Sequence, residues 1–87
     1  MNAVAKDYPI PREVKAIRLD VPSQGVETKI VIYAVNARAH IGMIYRRRGG
    51  EMDWTTVGRT EEAGSAANAE KLARDWHRDN LRAKANA

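Results

Sequence analysis

Residues 28–35 read TKIVIYAV and are the most strand-like stretch of this 87-residue sequence. β-Branched and aromatic side chains fill the stretch, and such side chains favour extended backbone in a sheet. It is therefore predicted to be a strand, and the segments on either side are assigned by working outward from it.

Three further strands are predicted, because residues typical of turns separate them. Residues 22–25, PSQG, place Pro early and Gly late, as a β-turn prefers. Residues 36–39 turn the chain back, and Gly49 and Gly50 suit a two-residue hairpin loop since both tolerate positive φ. The additional strands are predicted at residues 14–21, 40–48 and 51–57.

A single helix is predicted after the strands, with Thr60 or Ser65 as its N-cap and its end near Arg82. Small and apolar residues recur in it at three- and four-residue spacing and so share one face. These residues are Ala66, Ala69, Leu72, Ala73 and Trp76.

The order of elements defines the expected fold and domain organisation. We predict an α+β fold: a four-stranded antiparallel β-meander in ββββα order, with one C-terminal helix packed on one face. A chain of 87 residues holds one domain at most. We assign residues 14–87 to a single α+β domain and residues 1–13, which contain Pro9 and Pro11, to an extended N-terminal arm.

The hairpin at residues 44–54, IYRRRGGEMDW, has two interpretations. A two-residue turn would place Arg48 opposite Glu51 and Arg46 opposite Asp53, and such pairs help to set strand register. It would also place Tyr45 opposite Trp54 on the face that the helix covers, together with Ile30, Ile32, Ile41 and Met43. The stretch is then a structural hairpin with paired charges. Alternatively, its tip contacts a ligand, with Arg47 reaching outward.

The other face of the sheet is the predicted partner-binding surface, because one helix cannot cover both sides. It keeps more apolar side chains than a solvated face usually has. The residues assigned to this surface are Lys29, Val31, Tyr33, Val35, Ile44, Arg46 and Arg48. Three occupants stay open: the N-terminal arm through Tyr8 and Ile10, a second copy of the chain in a homodimer, or another partner.

The formal net charge of +4 and the pI of about 9.8 permit nucleic acid, anionic membrane or acidic protein partners and select none of them. The predicted helix carries a basic stripe that, with Arg47, supplies candidate phosphate contacts. These contacts are Arg47, Lys71, Arg74, Arg78 and Arg82. Acidic residues at three- and four-residue spacing from the stripe are equally typical of a solvated helix, so both interpretations stand.

The sequence offers little for catalysis or for a metal. It contains no Cys, and its two histidines, His40 and His77, do not stand at metal-ligand spacing with each other or with an acidic residue. No Gly-rich phosphate loop precedes the helix, and no nucleophile–base pattern is evident. We therefore expect no enzyme, no metal and no cofactor.

The function that this pattern favours is a small, non-enzymatic binding module. It would dock on a protein partner or on itself through the exposed sheet face, as an adaptor, regulator or inhibitor of a larger, even nucleoprotein, assembly. In size and class it is similar to anti-CRISPR-type inhibitors. The alternative is a nucleic-acid-binding accessory protein that uses basic residues of the sheet and hairpin. With no signal peptide or membrane helix evident, a cytoplasmic location and no membrane partner are expected.

Overall fold

A computed structural model describes residues 6–19 and 25–82. Four antiparallel strands form one sheet with neighbours in sequence order. The strands are β1 (Arg12–Arg18), β2 (Val26–Asn36), β3 (Ala39–Arg48) and β4 (Thr55–Arg59). Helix α1 (Ala66–His77) follows and continues into a π-helical turn at Arg78–Arg82. The predicted α+β meander with one C-terminal helix on the sheet is confirmed.

The bounds of all four strands differ from the predicted ones. Strand β1 begins two residues earlier than predicted and ends at Arg18, while the end of its predicted range and most of the PSQG turn lie outside the described residues. Strand β4 begins at Thr55 and not at Glu51. The strands predicted at residues 28–35 and 40–48 extend slightly further, as β2 and β3.

The core lies between α1 and the two central strands. Ile30, Ile32 and Ile44 are completely buried, and Ala69 and Ala73 of α1 are completely buried against them. The helix comes close because small residues stand on both sides of the contact. A Cβ atom added to Gly42 would lie 2.9 Å from the Cβ of Ala73, so a larger residue there would push the helix away.

Ser65 is the N-cap of α1, and its hydroxyl accepts a hydrogen bond from the Asn68 N–H at 3.1 Å. Thr60, the other candidate cap, has a different role. Its hydroxyl accepts from the Gly42 N–H at 2.9 Å and its own N–H donates to the Gly42 carbonyl at 2.8 Å. Thr60 therefore fixes the segment that leads from β4 to α1 along the edge of β3.

A bulge between β2 and β3 decides which side chains share a face. Next to the turn, Asn36 pairs with Ala39, but from Ala34 onward the pairing is shifted by one residue. As a result Ile30 pairs with Ile44, and both lie under the helix. The predicted placement of Ile44 on the open face is therefore wrong, because a shift of one residue moves every side chain of a strand to the opposite face.

The same register shift also reverses the predicted faces of the other β3 residues. Ile41, Met43 and Tyr45 pair with odd-numbered residues of β2 and lie opposite the helix, although they were predicted beneath it. Arg46 and Arg48 pair with Thr28 and Val26 and lie on the helix side, although they were predicted on the open face.

The turn at Gly49 and Gly50 forms, but the hairpin register predicted from it is wrong. The Arg48 carbonyl accepts a hydrogen bond from the Glu51 N–H at 3.0 Å, and Gly50 has a φ of +91°. The chain then leaves the ladder, and pairing resumes with Arg46 opposite Thr55. The predicted cross-strand pairs Arg48–Glu51, Arg46–Asp53 and Tyr45–Trp54 are therefore absent, since residues 51–54 form a loop.

Candidate binding surfaces

The side of the sheet opposite α1, called here the helix-free face, is formed by alternate residues of all four strands. Strand β1 contributes Glu13, Ala16 and Arg18, which pair with odd-numbered residues of β2. The central strands contribute Glu27, Lys29, Val31, Tyr33, Ile41, Met43, Tyr45 and Arg47, and β4 contributes Thr56 and Arg59. Of the residues predicted for this face, Lys29, Val31 and Tyr33 belong to it, while Val35 is the unpaired residue at the bulge.

The apolar centre of the helix-free face is already packed within the chain. Val31 lies between Ala16 and Met43 in the register and is only 2% exposed. Tyr33, Met43 and the other large side chains of this face are half-buried. The expectation of an openly apolar surface is therefore wrong at Val31, and the face owes its character to aromatic and charged groups.

The main feature of the helix-free face is a cluster of cations around Trp54, which the β3–β4 loop brings over the sheet. The Arg47 Cζ and the Lys29 Nζ lie 4.3 and 4.4 Å from the centroid of the Trp54 ring. The Arg18 Cζ lies 5.3 Å from the same centroid. Cations at such distances are attracted to the ring face.

One carboxylate, Glu27, holds two of these cations in place. Its Oε1 accepts from the Arg18 Nη2 at 2.8 Å, and its Oε2 accepts from the Arg47 Nε. The hydrogen bond from Arg47 is the main cause that lowers the pKa of Glu27 below its ordinary value. We call Trp54, Arg18, Lys29, Arg47 and Glu27 the Trp54 cluster. It joins β1, β2 and β3 to the loop.

Two tyrosines lie beside the Trp54 cluster. The hydroxyls of Tyr33 and Tyr45 are 3.2 Å apart and share a hydrogen bond. Burial, followed by this bond, raises the pKa of Tyr45 to about 12. The Lys29 Nζ lies 5.5 Å from the Tyr45 ring centroid, so one lysine contacts both Tyr45 and Trp54. The two phenols place hydroxyl groups, which can donate and accept hydrogen bonds, beside the cluster.

The described part of the N-terminal arm lies beside the end of β2. The Tyr8 N–H donates to the Val35 carbonyl at 2.7 Å, and the Asn36 side chain donates to Asp7 at 2.8 Å. The Arg12 guanidinium lies 4.3 Å from the Tyr8 ring centroid. Ile10 remains 78% exposed, so it does not cover the face as the arm hypothesis required.

A second candidate site lies on the helix side of the sheet, at its hairpin end. A groove of about 310 Å³ opens there, lined by Val26, Arg46, Arg47, Arg48, Glu51 and Thr55. The Nε atom of Arg46 is buried and has no hydrogen-bond partner in the described part of the chain. We call this site the arginine groove. The groove as such was not predicted, because Arg46 and Arg48 were assigned to the open sheet face opposite Asp53 and Glu51, and Arg47 was assigned to phosphate contact without them.

The basic stripe of the helix is paired with acidic residues of its own chain. Lys71 contacts Asp75 at 3.0 Å, Arg74 contacts Glu70 at 3.0 Å, and Arg78 contacts Asp75 and Asp79 at 3.3 and 3.1 Å. Lys15 of β1 also reaches Glu70, at 2.8 Å. Lys71, Arg74 and Arg78 therefore have the arrangement of a solvated helix, while the side chain of Arg82 lies outside the description.

Within residues 6–19 and 25–82, no three His, Cys, Asp or Glu side chains come together as a metal site would require. His40 pairs through its backbone with Ala63 at 2.8 Å in both directions, and its half-buried ring leaves Nδ1 without a described partner. No helix in the described ranges is long and apolar enough to cross a membrane.

Comparison with known proteins identifies no relative. The sequence matches no family model, and no curated protein or solved structure matches it significantly. The functional argument therefore starts from the two surfaces described above.

Proposed function

We propose that the protein is a non-enzymatic binding module that docks on an acidic surface of a partner protein through its helix-free face. The observation that carries the proposal is the Trp54 cluster, in which three cations contact one indole ring. Trp, Tyr and Arg are the residues that most often dominate the energy of protein interfaces. Here all three types stand side by side, with Met43 next to them.

The cluster is ordered before any partner arrives, which favours binding. Glu27 fixes Arg18 and Arg47, and Tyr33 and Tyr45 fix each other through their hydroxyls. An arginine that is already held in place loses less conformational entropy on contact with a partner than a mobile one does. The face therefore has the properties of a preformed contact patch for an adaptor, regulator or inhibitor.

The charge of the face favours an acidic partner over a second copy of the chain. Four cations, Arg18, Lys29, Arg47 and Arg59, outnumber the two carboxylates, Glu13 and Glu27, on it. Two copies related by a two-fold axis would bring like charges together, which is unfavourable at an interface. An acidic protein surface complements the same charges and would accelerate association at low salt.

A comparison of baits tests the proposal. The native chain, the Trp54→Ala and Arg47→Glu variants, and the control Arg38→Glu are each used to isolate bound proteins. Arg38 is exposed in the β2–β3 turn, away from the cluster. We expect a protein that the native chain and Arg38→Glu retain and that the two cluster variants lose. Equal recovery by all four baits, or recovery of nothing, would refute the proposal, and the solution mass at two salt concentrations would show whether a dimer forms instead.

Nucleic-acid binding is the second candidate, favoured by Arg46 and Arg48, which form no ion pair with a described residue. Phosphate contacts would make the affinity fall steeply as salt increases. Base stacking on Trp54 is less favoured, since a base competes with the cations for the ring faces. The absence of any affinity for oligonucleotides would exclude this candidate, and an affinity that Arg46→Glu and Arg48→Glu leave unchanged would exclude these two arginines as its contacts.

A further inference from the structure

The arginine groove lies mainly on the helix side of the sheet and shares one lining residue, Arg47, with the helix-free face. Arg46 follows Ile44 by two residues on β3, so the groove begins where the helix-covered core ends. Thr28 and Thr55 pair with Arg46 on its two sides, and Val26 pairs with Arg48. Arg46 and Arg48 therefore lie side by side on one face, between neighbouring strands.

Two arginines that line the groove, Arg46 and Arg48, have donors without a partner in the described chain, whereas Arg47 is bound to Glu27. The buried Arg46 Nε donor has no acceptor, and the exposed Arg48 guanidinium has no carboxylate within ion-pair distance among described residues. The Arg46 Nε is itself closed to solvent, so a ligand would contact the two arginines through the parts of their side chains that line the groove.

From these contacts we propose that the arginine groove binds a phosphoryl group. A guanidinium presents its N–H donors in a planar fork that matches the oxygens of a phosphate. The Thr55 side chain lines the same groove and adds a hydroxyl. The volume of about 310 Å³ exceeds the size of a phosphate ion and suits a phosphoryl group attached to a larger carrier.

Glu51 also lines the groove and limits what it accepts. Its carboxylate repels a second anionic group, so the groove is complementary to a single phosphoryl group bordered by hydrogen-bond donors. A ribose hydroxyl or a base amino group next to the phosphate is such a donor. This inference does not rest on docking through the helix-free face, and it narrows the nucleic-acid candidate to one recognition site.

The first test maps binding on the native chain by the amide chemical shifts of isotope-labelled protein. The probes are inorganic phosphate, adenosine monophosphate, adenosine without phosphate and a short single-stranded oligonucleotide, each at an ionic strength matched with sodium chloride. We expect saturable shifts at Val26, Arg46 and Thr55 with probes that carry phosphate and none with adenosine. Shifts equal to those in chloride, or shifts confined to α1, would overturn the proposal.

The second test uses Arg48→Gln, Arg46→Gln and the control Arg38→Gln, which removes one exposed positive charge elsewhere. Arg48→Gln and Arg46→Gln each remove a charge-assisted hydrogen bond, so each should raise the dissociation constant for phosphate about tenfold or more. Equal affinity of Arg48→Gln and the native chain would contradict the proposal, and this exposed position keeps the test valid if Arg46→Gln fails to fold. If binding requires Arg48, the probe that binds most tightly among phosphate, nucleotide and oligonucleotide identifies the source of the phosphoryl group.

Discussion

The indole ring of Trp76 lies directly on the backbone of Gly58. Gly58 is in β4 and pairs with the buried Ile44 of β3, so the ring closes the end of the core at the edge of the sheet. A Cβ atom at position 58 would overlap the Trp76 ring. This contact anchors the last turn of α1 to a strand that is only five residues long.

We expect Gly58→Ala to destabilise the protein, because the added methyl group displaces Trp76 from the core. Overpacking of this kind costs about 1–3 kcal/mol. Chemical denaturation monitored by circular dichroism measures the loss. Gly64→Ala is the matched control, since nothing lies within 4 Å of a Cβ there and its φ is not positive. Equal losses at both positions would contradict the packing described.

Ser65→Ala should destabilise the fold by about 1 kcal/mol, because it removes the acceptor that caps α1. The Asn68 N–H, which donates to the Ser65 hydroxyl at 3.1 Å, would lose that partner. Ser65→Asp keeps an acceptor at the same position and should retain most of the stability. The free energies of unfolding of the native chain, Ser65→Ala and Ser65→Asp test this prediction. If Ser65→Ala is as stable as the native chain, the cap contributes nothing to stability.

Glu27 makes the protein sensitive to acid. Its ordinary pKa of 4.5 is lowered in the folded chain, mainly by the hydrogen bond from Arg47. The carboxylate therefore contributes stability at pH values above the ordinary pKa, and that contribution is lost as the pH falls through the lowered folded pKa. Glu70 and Asp75, whose pKa values are lowered by Lys15 and Lys71, act in the same direction.

We expect the stability of Glu27→Gln to depend less steeply on pH than that of the native chain between about pH 5 and pH 2. Unfolding curves at a series of pH values measure the slope. The exposed residue Glu62, which forms no ion pair in the described chain, supplies the control Glu62→Gln. A slope that Glu27→Gln leaves unaltered would mean that the ion pairs with Arg18 and Arg47 contribute no stability.

Tyr45 should ionise at a higher pH than an ordinary tyrosine, because burial and the hydrogen bond to Tyr33 raise its pKa to about 12. Since the unfolded chain ionises first, stability is fully present below pH 10.0 and decreases as the pH rises toward 12. Ultraviolet absorbance of the phenolate follows the titration. Tyr45→Phe should remove the ionisation step at high pH. If that step persists in this variant, it belongs to another tyrosine.

Local patterns in the sequence predict the strands and the helix of this fold, but they do not predict which face of the sheet each side chain of β3 lies on. The run at residues 28–35, the paired glycines at positions 49 and 50, and the alanine face of α1 each depend on neighbours in the chain, and all three are found. The face of β3 depends on the bulge between Ala34 and Asn36, which adds one residue to one strand. No sequence signal was recognised for that bulge, so Ile44, Arg46 and Arg48 were placed on the wrong side.

The Trp54 cluster was missed for a related reason. A two-residue turn predicts that the chain re-enters the sheet directly after Gly50, which places Trp54 in a strand opposite Tyr45. In the structure the loop is longer, and Trp54 reaches cations of β1, β2 and β3. A partial signal existed: Glu27 continues the alternation of β2 by one residue before Thr28, which places a carboxylate on the same side as Lys29.

The two tryptophans of the chain lie on opposite sides of one sheet, Trp54 among cations and Trp76 against the core. Each indole is therefore a fluorophore that reports on its own surface. Trp76→Phe would leave emission only from the helix-free face, where a bound molecule alters the spectrum directly. Trp54→Phe would leave emission only from beneath α1, so that detachment of the helix can be followed without any added dye.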